Sequence, residues 1–335
     1  MTRRISLDTL QSVFRRTLIS VGFEAERARR CASIFAENSA VGVASHGLNR
    51  FPQFVDFVRR GIVIPTAEMT CTVRLGAWEQ WNGNLGPGPL NAYDATQRAV
   101  ALARQHGIGC IGLQQTNHWM RGGYYGWMAA EAGLAFMAWT NTTPNMPPWG
   151  AKDCRLGNNP LVLAAPRTSG PVVLDMAMSQ FSYGRLETHW REATPLPVPG
   201  GYDSEGRLTA DPEEILHTAR VLPIGFWKGA GLSMMLDMLA ALASGGDTTC
   251  RIGRRNPEYG VSQVFIALDI RRNGGAQVVD RLMDEVVTDL HNAQPDTAHG
   301  PVRYPGERVR QVRQESLKHG VPVDDTIWEQ VLAGV

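Results

Sequence analysis

Residues 107 to 112 read Gly107-Ile108-Gly109-Cys110-Ile111-Gly112, a literal G-x-G-x-x-G, and their surroundings decide which folds are open to the chain. In a Rossmann fold that pattern leaves a strand and opens a helix, because a pyrophosphate rests on the free N–H groups at the helix N-terminus. Here the order is reversed. A helical stretch over 91 to 105 ends at Gly107, which stands at a C-cap position, and an apolar strand carries the remaining glycines. Any dinucleotide bound by this chain needs another architecture.

The flanking patterns describe that architecture. Leu7, Leu10, Phe14 and Leu18, then Ala28, Cys31, Ala32 and Phe35, then Phe51, Phe54, Val55 and Val58 follow helical spacing. Ser6 and the glycines Gly22, Gly42 and Gly61 occupy cap and stop positions, so three helices are expected. From about Val73 the texture changes to strand-like runs at 108–113, 134–140, 161–166 and 172–176. Pro195-Leu196-Pro197-Val198-Pro199-Gly200-Gly201 then opens a loop expected to reach the surface or a partner subunit. A helix at 229–243, a strand at 264–270 and helices at 279–293, 307–319 and 324–332 complete the reading. The expectation is an α/β protein in which a helical N-terminal layer, residues 1–72, packs with the C-terminal helices of 271–335, around a sheet-bearing cofactor domain of 73–270.

Charge and cysteine usage exclude several classes. With 33 basic and 32 acidic residues intermixed, the net charge of +1 offers no field for nucleic acid or an anionic membrane. Five widely spaced cysteines without a C-x-x-C pair read as reduced core residues. The richest apolar stretch, 232–243, is interrupted by Ser233 and Asp237 and reads as a buried helix. The N-terminal segment carries Asp8, Arg15 and Arg16 where a secretory leader would be apolar, so a cytoplasmic location is expected. The eight histidines show no H-x-x-x-H or H-E-x-x-H spacing, and neither G-x-x-x-x-G-K-[ST] nor G-x-S-x-G occurs, so no metal, P-loop or serine hydrolase is expected.

Several clusters are able to carry chemistry. Ser45-His46-Gly47 with Arg50 combines a group titrating near neutrality with a cation that grips carboxylates; His46 and Arg50 would share a face if a helix began near His46. The plainer alternative has Ser45 merely capping that helix. The run from Asn117-His118 through Arg121-Gly122-Gly123 mixes polar, aromatic and flexible residues after a strand, as a ligand site or as a tight turn does. Asn158 and Asn159 offer amides to oxygen-rich ligands, or form a turn before Pro160. Asp175 and Ser179 follow a strand and suit a ribose or carboxamide, although an aspartate there also suits a helix cap. Lys228 at a helix start makes a positive spot for an anion, and Pro305-Gly306-Glu307-Arg308 marks another helix start.

Taken together, Ser45-His46-Gly47-Leu48-Asn49-Arg50-Phe51-Pro52, Asn117-His118-Trp119-Met120-Arg121-Gly122-Gly123, Pro147-Pro148-Trp149-Gly150-Ala151-Lys152, Phe181-Ser182-Tyr183-Gly184, Trp227-Lys228-Gly229 and Tyr259-Gly260-Val261-Ser262-Gln263 resemble the malate/L-lactate dehydrogenase family of non-Rossmann oxidoreductases. The resemblance runs in order over essentially the whole chain. It implies a homodimer that binds NADH, with NADPH as the other choice, and reduces a small 2-keto acid derived from a sugar. It implies His46 as proton donor, Ser45 as its relay partner and Arg50 as carboxylate clamp, with His118 and Asn158 also touching substrate. Cofactor contacts are implied at His118, Arg121 and Gly122, at Val173, Leu174, Asp175, Met176, Ala177, Met178 and Ser179, at Trp227 and Lys228, and at Gly306, Glu307 and Arg308. Gly157-Asn158-Asn159-Pro160 departs from the pattern by placing an amide where a threonine hydroxyl is expected. Malate, lactate, ureidoglycolate or a cyclic imino acid are rival substrates on the same fold, and a non-catalytic sugar-acid-binding protein is the rival of another class.

Overall fold

The computed structural model describes residues 3–272, 274–296 and 300–334; His299 and the terminal Met1, Thr2 and Val335 lie outside the described residues. In chain order the first elements are β1 (Arg4–Ile5), α1 (Leu7–Ser20), α2 (Ala25–Ala40), α3 (Phe51–Arg59), β2 (Thr70–Leu75), β3 (Trp78–Asn82) and α4 (Gly88–His106). Next come β4 (Ile108–Thr116), α5 (Gly123–Glu131), β5 (Ala135–Thr140), β6 (Leu161–Ala165), β7 (Val172–Met176), α6 (Tyr183–Arg191), β8 (Gly201–Tyr202), β9 (Leu208–Thr209) and α7 (Pro212–Thr218). The chain ends with α8 (Trp227–Ser244), α9 (Thr249–Ile252), β10 (Val261–Leu268), α10 (Gly275–His291), α11 (Glu307–His319), β11 (Val321–Pro322) and α12 (Asp325–Leu332).

The first three helices form where their spacing places them. Ser6 caps α1 by accepting the Thr9 N–H at 3.1 Å, and Gly22, Gly42 and Gly61 take φ of 96°, 84° and 69° at the stops. Their apolar faces meet around Phe14, Phe35 and Phe51, with the Phe14 and Phe51 rings stacked at 4.2 Å. The chain's end closes this core. Strand β11 pairs antiparallel with β1, α12 inserts Trp328 and Val331, and Arg313 of α11 grips Glu37 of α2 through bonds of 2.8 and 2.9 Å. Helix α10 takes a different course: its Asp280 and Asp284 bind Thr168 and Arg167 in the turn between β6 and β7.

The main sheet has the order β2-β3-β4-β10-β5-β6-β7, and only the β3–β4 pair is parallel. A parallel doubly wound sheet is thereby excluded, and the glycine-rich run has another purpose. Gly107 closes α4 at φ 89° with its N–H on the Ala103 carbonyl. A Cβ on Gly109 would lie 2.1 Å from the Ala99 carbonyl oxygen of α4, and one on Gly112 would lie 2.1 Å from the Ala243 oxygen of α8. The pattern is one helix stop and two close helix contacts, on opposite faces of β4.

The differences from expectation have physical causes. Strands β2 and β3 escape notice because an antiparallel hairpin at a sheet edge needs no apolar run; β2 is largely exposed. Helix α5 begins Gly-Tyr-Tyr-Gly, a composition that reads as a turn, and is held by tertiary packing of Tyr125 and Ala129. Helix α8 is buried on one side only: Leu232, Met235, Leu239 and Leu242 are 41%, 45%, 44% and 74% exposed. The five cysteines are free, yet only Cys31 is core, and Cys250 is exposed. In the proline-rich loop Leu196 anchors in the core beneath an exposed Val198, and Gly201 already begins β8. Among the described residues no helix is long and apolar enough to cross a membrane.

Gly112→Ala tests the packing role of the glycine run. The new methyl meets a backbone carbonyl that cannot rotate away, so the urea midpoint should fall by the equivalent of about 1–3 kcal/mol, the usual cost of overpacking.

Candidate active site

The Ser45-His46 and Arg50 cluster is built on the end of α2. Ser45 and His46 lie on one short 3-10 turn, Ala44–His46, and Arg50 ends a second, Leu48–Arg50. Between them Gly47 takes φ −119° and ψ −119°, which interrupts the helical path, and α3 starts only at Phe51. His46 and Arg50 therefore do not share an α-helical face, and Ser45 caps no helix. A Cβ on Gly47 would lie 2.2 Å from Ser39 Oγ and 2.8 Å from the Phe35 oxygen, so only glycine lets the turn sit this low. Ser39 Oγ accepts the Leu48 N–H at 2.8 Å, and Asn38 Nδ2 donates to the His46 carbonyl at 3.0 Å. Ser45 Oγ stands 3.1 Å from His46 Nδ1, leaving Nε2 to exchange a proton with a ligand. Gly184 of α6 approaches closely from outside; its Cβ would be 3.0 Å from that of Ser45.

His118 is brought to the same place from the end of β4. Its ring lies 5.6 Å from that of His46, nearly parallel, and its Nδ1 accepts the Met120 N–H at 2.9 Å. The N-terminus of α4 supports it, since a Cβ on Gly88 would fall 2.2 Å from the His118 oxygen. Burial lowers the pKa of both histidines, His118 well below the ordinary value. For His46 the Asp175 carboxylate opposes that shift, while Arg50 and Arg121 add to it. Arg50 borders a small pocket of about 80 Å³ with Phe54, Phe57, Asn117, His118 and Glu258. Burial disfavours its charge, Glu258 and Glu187 support it, and among the described residues no carboxylate lies within 4.0 Å of it. A half-buried guanidinium without an ion-pair partner is suited to a ligand carboxylate.

Strand β7 gathers the other candidate runs. At its start the Val173 N–H bonds the Pro305 carbonyl at 3.0 Å, and Gly306, at φ 87°, packs so closely that a Cβ would lie 3.0 Å from the Val173 oxygen. In its middle Asp175 Oδ2 accepts the Gly123 N–H at 2.7 Å and stands 3.9 Å from Arg121 Nε. Asp175 does act as a helix cap, but for α5 across the fold. Beyond its end Met178 bonds Asn158 and Ile224 through the backbone at 2.7 and 2.8 Å, which leads the chain into Trp227 and Lys228. The runs around His118, Val173, Trp227 and Gly306 thus converge, although 188 residues separate His118 from Gly306 by subtraction of their positions.

Individual side chains differ in what they offer. Arg121 is 7% exposed, its guanidinium makes no hydrogen bond among the described residues, and it borders a cleft of about 590 Å³ with Tyr93, Tyr124, Trp127 and Arg313. Val173 and Met178 point into the core, so only their backbone is available, and the Ser179 hydroxyl donates to the Phe181 carbonyl. Leu174, Met176 and Ala177 are half-buried, while Trp227, Lys228 and Arg308 are exposed. Glu307 accepts from His291 Nε2 at 3.3 Å and from the Tyr304 N–H at 3.2 Å. Asn158 is not a wall of the Arg50 pocket; its Oδ1 takes the Asn145 amide at 2.9 Å and the Thr142 hydroxyl at 3.3 Å. Asn159 is structural, buried and bonded to Thr142 and Ser233. Glu258 is the pocket residue that sequence reasoning misses.

His46, His118 and Arg50 stand together in a protein whose main sheet is mostly antiparallel and therefore not of the Rossmann kind. The chain matches the malate/L-lactate dehydrogenase family over residues 5–332 and belongs to it. It is 42% identical over 331 residues to the 2,3-diketo-L-gulonate reductase of Escherichia coli, covering 98% of this chain and 99% of that one. Among solved structures, malate dehydrogenase from Entamoeba histolytica superposes with a TM-score of 0.94 at 22% identity, covering 100% of this chain and 97% of the other. Sulfolactate dehydrogenase from Methanocaldococcus jannaschii gives 0.91 at 25%, covering 99% and 96%. The chain is therefore an enzyme, and a family of dehydrogenases and reductases implies a nicotinamide cofactor.

Ser39→Ala tests the foundation of the turn. The buried Leu48 N–H loses its acceptor, so stability to urea should fall by about 1–3 kcal/mol, and activity should fall with the loosened turn.

Proposed function

We propose that this enzyme reduces 2,3-diketo-L-gulonate to 3-dehydro-L-gulonate with NADH, His46 serving as proton donor and Arg50 as clamp for the substrate carboxylate. The observation that carries the reading is the Arg50 guanidinium, half-buried, with no carboxylate of the described residues within 4.0 Å, and in one pocket with His118. The 42% identity to the Escherichia coli reductase supports the choice of keto acid.

The residues present fit a dinucleotide. Arg121 is a buried cation without a hydrogen bond from the described residues, facing a cleft with aromatic walls, as a phosphate and a flat base require. Arg121 and Gly122 would hold it together with His118, the Val173 and Met178 backbone, Leu174, Asp175, Met176, Ala177 and Ser179, Trp227, Lys228, Gly306, Glu307 and Arg308. The carboxylate of Glu307, fixed by His291 and the Tyr304 N–H, favours hydroxyls over a further phosphate and so supports NADH over NADPH. When bound, the nicotinamide supplies hydride to C2 of the keto acid.

The protein's own residues perform the rest. Arg50 pairs with the carboxylate in a bidentate fork and so fixes C2 and its carbonyl. His46, protonated, gives its Nε2 proton to the carbonyl oxygen, and Ser45 Oγ, on Nδ1, holds the ring and accepts from the imidazolium. His118, with Nδ1 occupied by Met120, has its Nε2 hydrogen to direct at the substrate. Asp175 offsets part of the burial penalty on the His46 charge. The exposed apolar side of α8, from Trp227 at 66% to Leu242 at 74%, supports a homodimer closed across that helix.

Purified protein should oxidise NADH faster with 2,3-diketo-L-gulonate than with pyruvate, oxaloacetate or a cyclic imine, and faster than it oxidises NADPH; preference for another acid would retain the mechanism and replace the substrate. His46→Ala should lower kcat by about 100 to 10,000-fold with NADH binding intact, and retained turnover would remove the role. Arg50→Lys should chiefly raise KM, because a point charge forms no bidentate pair. The donor must be protonated and its pKa is lowered, so kcat/KM for reduction should fall as pH rises through a midpoint below about 6.5. Asp175→Asn removes the charge that opposes the shift and should move that midpoint lower still.

A further inference from the structure

We propose that Glu258 and Asn117 form a specificity subsite that reads substrate hydroxyls and turns away a second carboxylate; the inference rests on the reading of Arg50 as the carboxylate clamp. The polar walls of the pocket are unevenly divided. Arg50 supplies the cation, Gln53 and His118 add groups able to donate or accept, and the Glu258 carboxylate and the Asn117 amide complete the polar lining.

Asn117 cannot turn its amide. Its Nδ2 donates to the carbonyls of Ile62, Leu85 and Gly86 at 3.2, 2.8 and 3.1 Å, which fixes Oδ1 as an acceptor. The residue is 4% exposed, and among the described residues Oδ1 has no hydrogen-bond partner. A buried acceptor left unmet is costly, so a ligand that brings a donor is rewarded. Glu258 is also fixed. Its Oε2 receives the Thr143 N–H at 2.7 Å and the Thr143 hydroxyl at 3.1 Å, and its Oε1 makes no hydrogen bond among the described residues.

An ionised carboxylate only accepts, so both groups ask for O–H donors. A ligand with one carboxylate for Arg50 and hydroxyls along the rest of its chain complements this pocket. A 2-keto dicarboxylate would set its second anion against Glu258 in a small, partly dry space, where like charges are screened poorly. A short acid such as pyruvate reaches neither outcome. The subsite therefore selects polyhydroxylated 2-keto acids from among the acids that Arg50 and His46 would otherwise process.

The test is kcat/KM on 2,3-diketo-L-gulonate, pyruvate and oxaloacetate for the wild type, Glu258→Gln and Glu258→Asp, with NADH. Glu258→Gln keeps an acceptor for Thr143 but removes the charge. Relative to pyruvate, it should gain about tenfold on oxaloacetate and lose about tenfold on diketogulonate, the scale of one polar contact. Glu258→Asp keeps the charge and should leave the oxaloacetate-to-pyruvate ratio near that of the wild type. Equal loss on all three substrates in the Gln variant, or equal ratios in the Gln and Asp variants, would overturn the proposal by making Glu258 a support for Thr143. Wild-type inactivity toward diketogulonate would instead overturn the substrate reading above, while the oxaloacetate-to-pyruvate ratio would still report on Glu258.

Discussion

The hydrogen bond from the Gly123 N–H to Asp175 ties together parts of the molecule that share no sequence neighbourhood. It caps α5 with a carboxylate from β7, sets that carboxylate beside the buried Arg121, and extends its field to His46. Glycine at 123 leaves the carboxylate room for this bond, since a Cβ there would stand 2.8 Å from Asp175 Oδ2 and force it to shift. One carboxylate thus orients a helix, offsets a buried cation and moderates a titrating imidazole. The strand that carries it is bonded at its start to the 305 loop and continues to the 222–224 segment, so both segments inherit their positions from one element.

The electrostatic balance around His46 follows from that arrangement. A proton donor in a pocket must be dry enough to act on a carbonyl and charged enough to carry a proton, and these demands oppose each other. Burial and two arginines push against the imidazolium, and Asp175 pulls the other way. An anion on Arg50 would remove one of the opposing charges. Under the roles proposed for His46 and Arg50, substrate arrival makes the donor easier to protonate, which couples binding to readiness for the proton transfer.

Local signals make much of this legible in the sequence, and nonlocal ones do not. Strand β7 and helix α11 are bounded by turn and cap residues and read correctly to the residue. Strands β2 and β3 are half-exposed hairpin arms without apolar runs, and α5 is stabilised by its neighbours against its own composition. The same division runs through the candidate site. Ser45, His46 and Arg50 stand together in the chain, so their association is visible, but the shape of their turn depends on the contact of Gly47 with α2. Glu258 is invisible because its anchor, Thr143, lies 115 residues away and no spacing links the two.

The glycine run at 107 to 112 has a consequence for anyone who would redesign this enzyme. Rules that switch nucleotide preference in Rossmann proteins act on a phosphate-cradling loop and on an acidic residue a fixed distance beyond it. Applied here they would alter one helix stop and two places where helices rest on a strand, and would disturb folding. Under the proposed cofactor reading the equivalent control lies about two hundred residues later, at the Gly306-Glu307 helix start, carried by a different segment of chain. Libraries aimed at cofactor exchange belong there, and residues 107 to 112 belong to the scaffold.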